Sequence, residues 1–353
     1  MQQLIITKDN EGQRLNKFLG KYLDAAPQSF LYKMLRKKNI KINHQKANGN
    51  EILKEGDQVE IFMSDETIAE FRKDGKLPVF EHIHLIKKQT GKKNALADVD
   101  ILYEDKDILI LNKPVGLLSQ KATASDYSLN EKIVDYYQNQ KHVDSLFTPS
   151  VCNRLDRNTS GIILAGMSLK GSRELSAMLK NRTIDKYYLT IVYGYVECTS
   201  VIKGFLTKKK SHNQVVIYKQ KQEAVQAGVE KPAYIETEYE PLAYAEYKGK
   251  TFTLLKVKLI TGKTHQIRAH LHSFEHPIVG DGKYGRKDVN LLMRKDFGLK
   301  HQLLHAYELT FPKIAEEEGL AKVSGKQFRA DLPEQFFTIQ KQLFREFNID
   351  KGV

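Results

Sequence analysis

The stretch "CNRLDRNTSG", Cys152 to Gly161, sets one carboxylate, Asp156, between Arg154 and Arg157, just ahead of a polar turn. The apolar run "IILAG" follows, so the carboxylate is expected on a loop at a strand entrance, where a rigid scaffold can hold a reacting group. A carboxylate there can attack an electrophilic carbon or move a proton. Alone, the same residues also describe a surface ion pair, which stabilises little. Three further segments bring functional groups next to apolar strands. "NKPVGLLSQ" places Lys113 before Pro114 and Gly116 in a rigid turn leaving a strand. "KYYLTIVYG" alternates Tyr188, Thr190 and Val192 on one face with Tyr187, Leu189, Ile191 and Tyr193 on the other. "TGKTHQIRAHLHSFEHPIVGDGKYG" carries Ile267, Leu271 and Phe274 at helical spacing. That spacing predicts a short helix from Gln266 to Phe274, starting just after His265, with Arg268 near its N-terminus and His276-Pro277 stopping it. The histidines 265, 270, 272 and 276 lack HExxH spacing, a clear carboxylate partner and a nearby cysteine pair, so no metal site is expected. A sugar hydrolase using Asp156 would want a second carboxylate close by, and these segments offer no good candidate.

Short apolar segments of strand length recur from Val99 onward: "ILYED", "DILILNKP", "GIILAG", "YYLTIVYGYV", "TFTLLKVKLI" and "HAYELTFP". In the fifth, Leu255, Val257 and Leu259 alternate with Lys256 and Lys258, as a half-buried strand should. Irregular stretches rather than regular helices separate them. The expected class is α+β: a mixed, largely antiparallel sheet with flanking helices, not a doubly wound parallel sheet. "LPEQFFTIQKQLFREF" reads as a closing amphipathic helix.

Residues 1–63 read as a small α/β unit of their own, with Leu15, Phe18, Leu19, Tyr22 and Leu23 on one helical face and Leu31, Met34 and Leu35 on another. From Ala25 to Asn50 there is no acidic residue, while Lys33, Arg36, Lys37, Lys38, Lys41 and Lys46 are basic, without i,i+4 acidic partners. That pattern favours a nucleic-acid-binding surface. Residues 64–98 lose periodicity and read as a linker, 99–314 as the main domain, and 315–353 as a tail with the closing helix.

The chain has 353 residues, 41% of them hydrophobic, enough for one large and one small domain. No run reaches the roughly 18 apolar residues of a membrane span, and "MQQLIITKDNEGQ" shows no export signal. The two cysteines, Cys152 and Cys198, form no CxxC, so a reduced cytoplasm is the expected setting. A net charge of +13 points to a polyanion partner. A monomer is expected.

Taken in order after "NKPVGL", the segments "NRLDRNTSG", "KYY" before "LTIVYG", "TGKTHQIRAHL", "HPIVGDGKYG" and "QLLHAYELTF" resemble the RluA-type pseudouridine synthases over roughly residues 99–314. The N-terminal unit resembles the small alpha-L RNA-binding module. The resemblance implies a sheet domain with a central cleft, and an enzyme modifying ribosomal RNA of the large subunit. The same chemistry on transfer RNA, and a ribosome-assembly factor with a weak cleft, are the alternatives. By the family's motifs Asp156 is the nucleophile, and Tyr188 and Arg268 complete the catalytic set. Asn153 stands where the family commonly has histidine, and His301 precedes Gln302 where arginine is common.

The isomerisation breaks N1–C1′, rotates the base and rejoins it through C5. It is redox-neutral and carries no group in, so no cofactor is expected. A carboxylate can attack C1′, add to C6 or draw off a ribose proton. Arg268 is assigned to hold Asp156 ionised by binding it in a fork. Tyr188 is assigned to stack on the uracil and remove the C5 proton. Arg154 and Arg157 are expected on phosphates, and Lys113, His265, Gln266 and Ile267 as further substrate contacts. The uridine must leave its stack to be reached.

Overall fold

Alternating apolar residues decide most of the architecture, because each strand has to bury one face or both. The computed structural model describes residues 2–73, 95–123, 125–139, 147–208, 215–316, 319–345 and 347. It divides into two compact units, one comprising Met1–Asn94 with Tyr136–Pro149 and Ser168–Lys170, the other the remainder.

The first unit runs β1 (Gln2–Ile5), α1 (Leu15–Tyr22), α2 (Gln28–Arg36), β2 (Ile40–Ile42), β3 (Gln45–Lys46), β4 (Gln58–Ile61) and α3 (Asp65–Glu70). Its antiparallel sheet has the order β1-β4-β2-β3. The predicted stripes meet it: Leu15, Phe18, Leu19 and Tyr22 of α1 and Leu31, Met34 and Leu35 of α2 join Leu4, Ile40, Val59 and Ile61 in one core. Lys33, Arg36, Lys37 and Lys38 are exposed, and the Lys41 ammonium lies 5.0 Å from the centre of the Phe62 ring. The linker expected over 64–98 differs at its start. Ser64 caps α3 by accepting from the Thr67 amide, Ile68 is fully buried in the core, and Phe71 packs on Phe30 with ring centroids 4.1 Å apart. The short helix was missed because six residues give too few turns to show a period. The polar stretch "IKKQTGKKN" lies outside the described residues.

The second unit is built on β5 (Asp100–Glu104), β6 (Ile108–Lys113), α4 (Leu129–Gln138), β7 (Ser150–Val151), β8 (Ser160–Gly166), α5 (Leu169–Asn181), β9 (Asp185–Tyr193), β10 (Ser200–Lys208), β11 (Val215–Tyr218), α6 (Lys221–Gln226), β12 (Ala233–Tyr247), β13 (Lys250–Leu259), α7 (Gln266–Ser273), α8 (Lys287–Phe297), β14 (Leu304–Thr310), β15 (Gln327–Arg329) and α9 (Glu334–Leu343). One sheet runs β11-β10-β12-β13-β9-β14-β8-β6-β5, with β15 beside β14 and β7 beside β8. Among the described strands every neighbouring pair is antiparallel except β8 and β14, which are parallel. The class is α+β, as the alternation implied. The expectation of irregular connections is corrected: α5, 13 residues, joins β8 to β9, and α8, 11 residues, lies between α7 and β14. β12 escaped notice because Pro241 sits in it, at a register shift between Pro241 and Ala243, and glutamates recur along it.

Two apolar layers flank the sheet. Ile108, Ile110, Ile162, Leu164 and Leu309 pack with Leu175 of α5. Leu189, Ile191, Phe252 and Leu254 pack with Met293 of α8 and Ile339 of α9. Burying each such side chain contributes about 1.5–3 kcal/mol. The parallel seam is tight. Gly161 pairs with Ala306, has φ +109, and a Cβ on it would lie 2.2 Å from the Ala306 carbonyl oxygen. Beside it, the Ser160 hydroxyl and His305 Nδ1 are 2.8 Å apart, and His305 Nε2 faces the Ala330 carbonyl at 3.1 Å. Among the described residues no helix is long and apolar enough to cross a membrane.

Candidate active site

Asp156 sits on the loop between β7 and β8, and the peptide groups on both sides of it are tied down. The Leu155 amide donates to the Ser119 hydroxyl at 3.0 Å, and that hydroxyl donates to the Leu155 carbonyl at 2.9 Å. The Arg157 carbonyl accepts from the Gly116 amide at 2.9 Å and from the Lys113 ammonium at 3.1 Å. The Asp156 carbonyl accepts from the Thr159 amide at 3.0 Å, and Gln302 Nε2 holds the Thr159 hydroxyl at 3.2 Å. The turn after "NKP" is therefore a brace for the Asp156 loop, which explains why both segments are needed.

Lys113 belongs to that brace. It is fully buried, and its ammonium donates to the carbonyls of Pro114, Leu117 and Arg157. Burial pushes it down to about 7, with the charge of Asp156 pulling the other way. The expected substrate contact is corrected, since no part of this side chain is open. Asn153 is also occupied: its Oδ1 accepts from the Leu164 amide at 2.7 Å and its Nδ2 donates to the Ile162 carbonyl at 3.3 Å, clipping the loop to β8.

Helix α7 starts where its spacing predicted. Gln266, expected on substrate, is instead spent on the helix start. Its Oε1 accepts from the Thr261 hydroxyl and the Lys263 amide, and its Nε2 donates to the Glu236 carbonyl and the Thr237 hydroxyl. Ile267 is 5% exposed. The next residue is different. Arg268 Nη1 donates to Asp156 Oδ2 at 2.6 Å, while its Nε and Nη2 form a fork on Asp281 at 2.7 and 2.9 Å. The fork assigned to Asp156 thus belongs to Asp281, and Asp156 receives one donor. Burial works against the Arg268 charge, but Asp281 and Asp156 more than restore it.

Asp281 is fully buried. Its Oδ1 also accepts the amides of Lys283 and Tyr284 at 2.8 and 3.1 Å, and its carbonyl accepts from Asn290 of α8 at 2.8 Å. Burial raises its pKa, yet the Arg268 hydrogen bonds and charge, with those amides, bring it below the usual value. Sequence reasoning missed Asp281, Tyr284 and Ser119. "GDG" reads as a turn, and only its place next to the Arg268 motif hinted at more.

His265 caps α7 in a left-handed conformation, φ 55, with Nε2 3.9 Å from Asp156 Oδ2. Its Nδ1 is 3.0 Å from the Tyr284 hydroxyl, which accepts from the Val215 amide at 2.9 Å. The Tyr284 proton is then free to go to Nδ1, leaving the imidazole proton on Nε2, facing Asp156. Burial lowers the His265 pKa, with Asp156 opposing and Arg268 reinforcing, so the neutral ring is favoured.

Tyr188 lies on β9 between Val257 of β13 and Ala306 of β14. It is 6% exposed. Burial first, then the charge of Asp156, pushes its phenol up, so phenolate is not the resting form. The structure thus brings Arg268 and His265 to Asp156, and Tyr188 within reach of the Asp156 charge. Arg154 and Arg157 are exposed; Arg157 comes 4.0 Å from Asp126. Among the described residues no group of three or more His, Cys, Asp or Glu side chains is placed to hold a metal.

A family profile described as RNA pseudouridylate synthase matches residues 107–273. A ribosomal large subunit pseudouridine synthase C of Salmonella typhi is 31% identical over 308 residues, 87% of this chain and 87% of its own. Its namesake in Haemophilus influenzae is 29% identical, covering 97% and 95%. An uncharacterised RNA pseudouridine synthase of Mycoplasma genitalium is 28% identical, covering 94% and 96%. Among solved structures, human RNA pseudouridylate synthase domain containing 4 matches with a TM-score of 0.53 and 20% identity, over 69% of this chain and 92% of that one, a likeness of fold. By its motifs, its profile and its relatives, the chain belongs to the RluA-type RNA pseudouridine synthases, isomerases that act on RNA.

Proposed function

We propose that this enzyme isomerises uridines in large-subunit ribosomal RNA, with Asp156 as the nucleophile and the target base flipped out of its stack. The relatives' names support the substrate. The observation that carries the chemistry is the single short bond from Arg268 to an otherwise open Asp156, 24% of whose side chain is exposed. A buried, forked guanidinium fixes one carboxylate oxygen, and the rest of the carboxylate stays available to attack.

Bond to bond, Asp156 takes up the sugar or ring carbon as N1–C1′ breaks. The uracil turns, C5 bonds to C1′, the bond to Asp156 breaks and frees its carboxylate, and the C5 proton leaves while N1 regains one. Tyr188, buried beside Asp156, offers a ring to stack on the uracil. Covalent capture removes the negative charge of Asp156, one of the two influences that hold the Tyr188 phenol up. That change eases a proton relay through its hydroxyl at the stage when the C5 proton must depart. Arg154 and Arg157, exposed on either side, are suited to phosphates. Lys33, Arg36, Lys37, Lys38 and Lys41 of the first unit are suited to the RNA backbone.

The test is chemical mapping of pseudouridine in total RNA from cells with the wild-type protein, with Asp156→Asn, and without either. One or more large-subunit positions should lose the modification in the second and third. If only transfer RNA positions change, the substrate is wrong; if Asp156→Asn restores the modification, the nucleophile is.

A further inference from the structure

We propose that Tyr127 is a stacking platform for a nucleobase flanking the target uridine. The proposal rests on the functional reading above and adds a residue that the motifs do not contain. Its place follows from its two neighbours. Asp126 faces Arg157 at 4.0 Å. The Ser128 hydroxyl donates to Glu131 at 2.5 Å, the amides of Leu129 and Asn130 donate to the carbonyls of Leu118 and Ser119 at 2.8 and 3.2 Å, and the Ser119 hydroxyl clasps the backbone of Leu155. Leu155 and Arg157 are the residues on either side of Asp156, so Tyr127 is held at the rim of that loop.

A tyrosine at such a place normally packs inward. This one is 53% exposed and yet fixed. Its hydroxyl donates to Asp135 at 2.6 Å. The Lys132 ammonium lies 5.6 Å from its ring centre. Lys132 is only 15% exposed and is itself held by Asp98 at 2.8 Å and the Ala95 carbonyl at 3.3 Å. The ring therefore has an anchored hydroxyl, a cation on one side, and an open remainder. Asp126, the residue before the ring, accepts the amides of Ala122 and Thr123 and is tied to them. Ordering is already done before anything binds, which is how a rigid aromatic gains affinity cheaply in entropy. Another exposed tyrosine pair, Tyr195 and Tyr244, offers a contrast: its rings pack on each other at 4.6 Å, and nothing ties it to Asp156.

The occupant is a base rather than a phosphate. A ring flanked by one part-buried lysine presents a flat apolar face, every base has a matching π-face, and an extruded uridine leaves its neighbours unstacked and in need of a partner. Losing one such stack weakens binding roughly tenfold.

The experiment uses the full-length protein and a large-subunit RNA fragment spanning a uridine the wild type modifies. Tyr127→Ala should raise KM about tenfold with kcat within twofold, while Tyr127→Phe stays near wild type. On RNA with abasic sites flanking the target, wild type and Tyr127→Ala should become equal. Equal kinetics for Tyr127→Ala and wild type on intact RNA would overturn the proposal. So would a Tyr127→Phe as weak as Tyr127→Ala, which would make the hydroxyl anchor the point, or a Tyr127→Ala defect that persists on abasic RNA. Binding of the same fragment, measured in an Asp156→Asn background with and without Tyr127→Ala, reads the stack without turnover. A wild type that makes no pseudouridine would sink the functional reading, and this binding arm would still decide for or against Tyr127.

Discussion

Arg268 serves two aspartates, and they are held in opposite ways. Asp281 is fully buried, takes the guanidinium fork, and accepts two amides besides. Asp156 has part of its side chain open, takes one guanidinium hydrogen bond, and has His265 at 3.9 Å. In the proposed mechanism the same residue type is an anchor in one place and the reactive group in the other, because saturation of its lone pairs differs. Asp281 costs the site nothing in reactivity, since it has nothing left to give. Asp156 keeps unspent oxygen lone pairs in a place where its backbone cannot move.

That contrast can be broken in order of effect. Asp156→Ala should cut pseudouridine formation by on the order of 10^4 or more, measured as initial rate on RNA, with melting barely changed. Asp281→Asn should do the reverse in emphasis. It removes the forked partner and leaves Arg268 only the single bond to Asp156, so denaturant unfolding should lose about 3 kcal/mol, and kcat should fall on the order of 10²-fold as Arg268 drifts. If Asp156→Ala proves the more destabilising of the two, the anchor and the reactive group have been assigned the wrong way round. The third test concerns the seam below the site. His305 is fully buried and pushed down to about 4 by burial, against an ordinary 6.5, with the Ala330 carbonyl pulling the other way. The unfolded chain takes up that proton first, so stability is full above about 6.5 and is lost as pH falls toward about 4. On the order of 2 kcal/mol should go with His305 between pH 7 and pH 5, with a like share from His270, which burial also pushes down to about 4, so His305→Gln should roughly halve that slope in pH-dependent unfolding. The smallest effect on the chemistry is expected from Lys33→Glu with Lys37→Glu. RNA affinity should fall and the salt slope of log K should shrink by about 2, with single-turnover rate at saturating RNA unchanged.

The fold class was legible because alternation reports which residues are buried, and the α7 start was legible because Ile267, Leu271 and Phe274 keep a helical period. The strand order was not. A face of Leu255 and Val257 says that β13 is half-buried, but the choice of β9 and β12 as its neighbours depends on contacts far along the chain. The same limit governs the site. Asp156, Tyr188 and Arg268 could be named from their motifs, whereas the direction in which a polar side chain points could not. Gln266 and Asn153 look like recognition groups and are consumed by backbone amides and carbonyls. Lys113 looks like a substrate contact and supports a loop. Asp281 looks like a turn residue and orients the guanidinium.

The bare position at Gly161 has one more implication. With the Ala306 backbone pressed against it and φ at +109, there is no room for even a methyl group. A saturation library at codon 161 should therefore return glycine alone among active clones, whereas its neighbour Ile162 in the apolar layer should tolerate other aliphatics. The Asp156 loop is thus tethered, a few residues downstream, to a point of the sheet that admits only glycine.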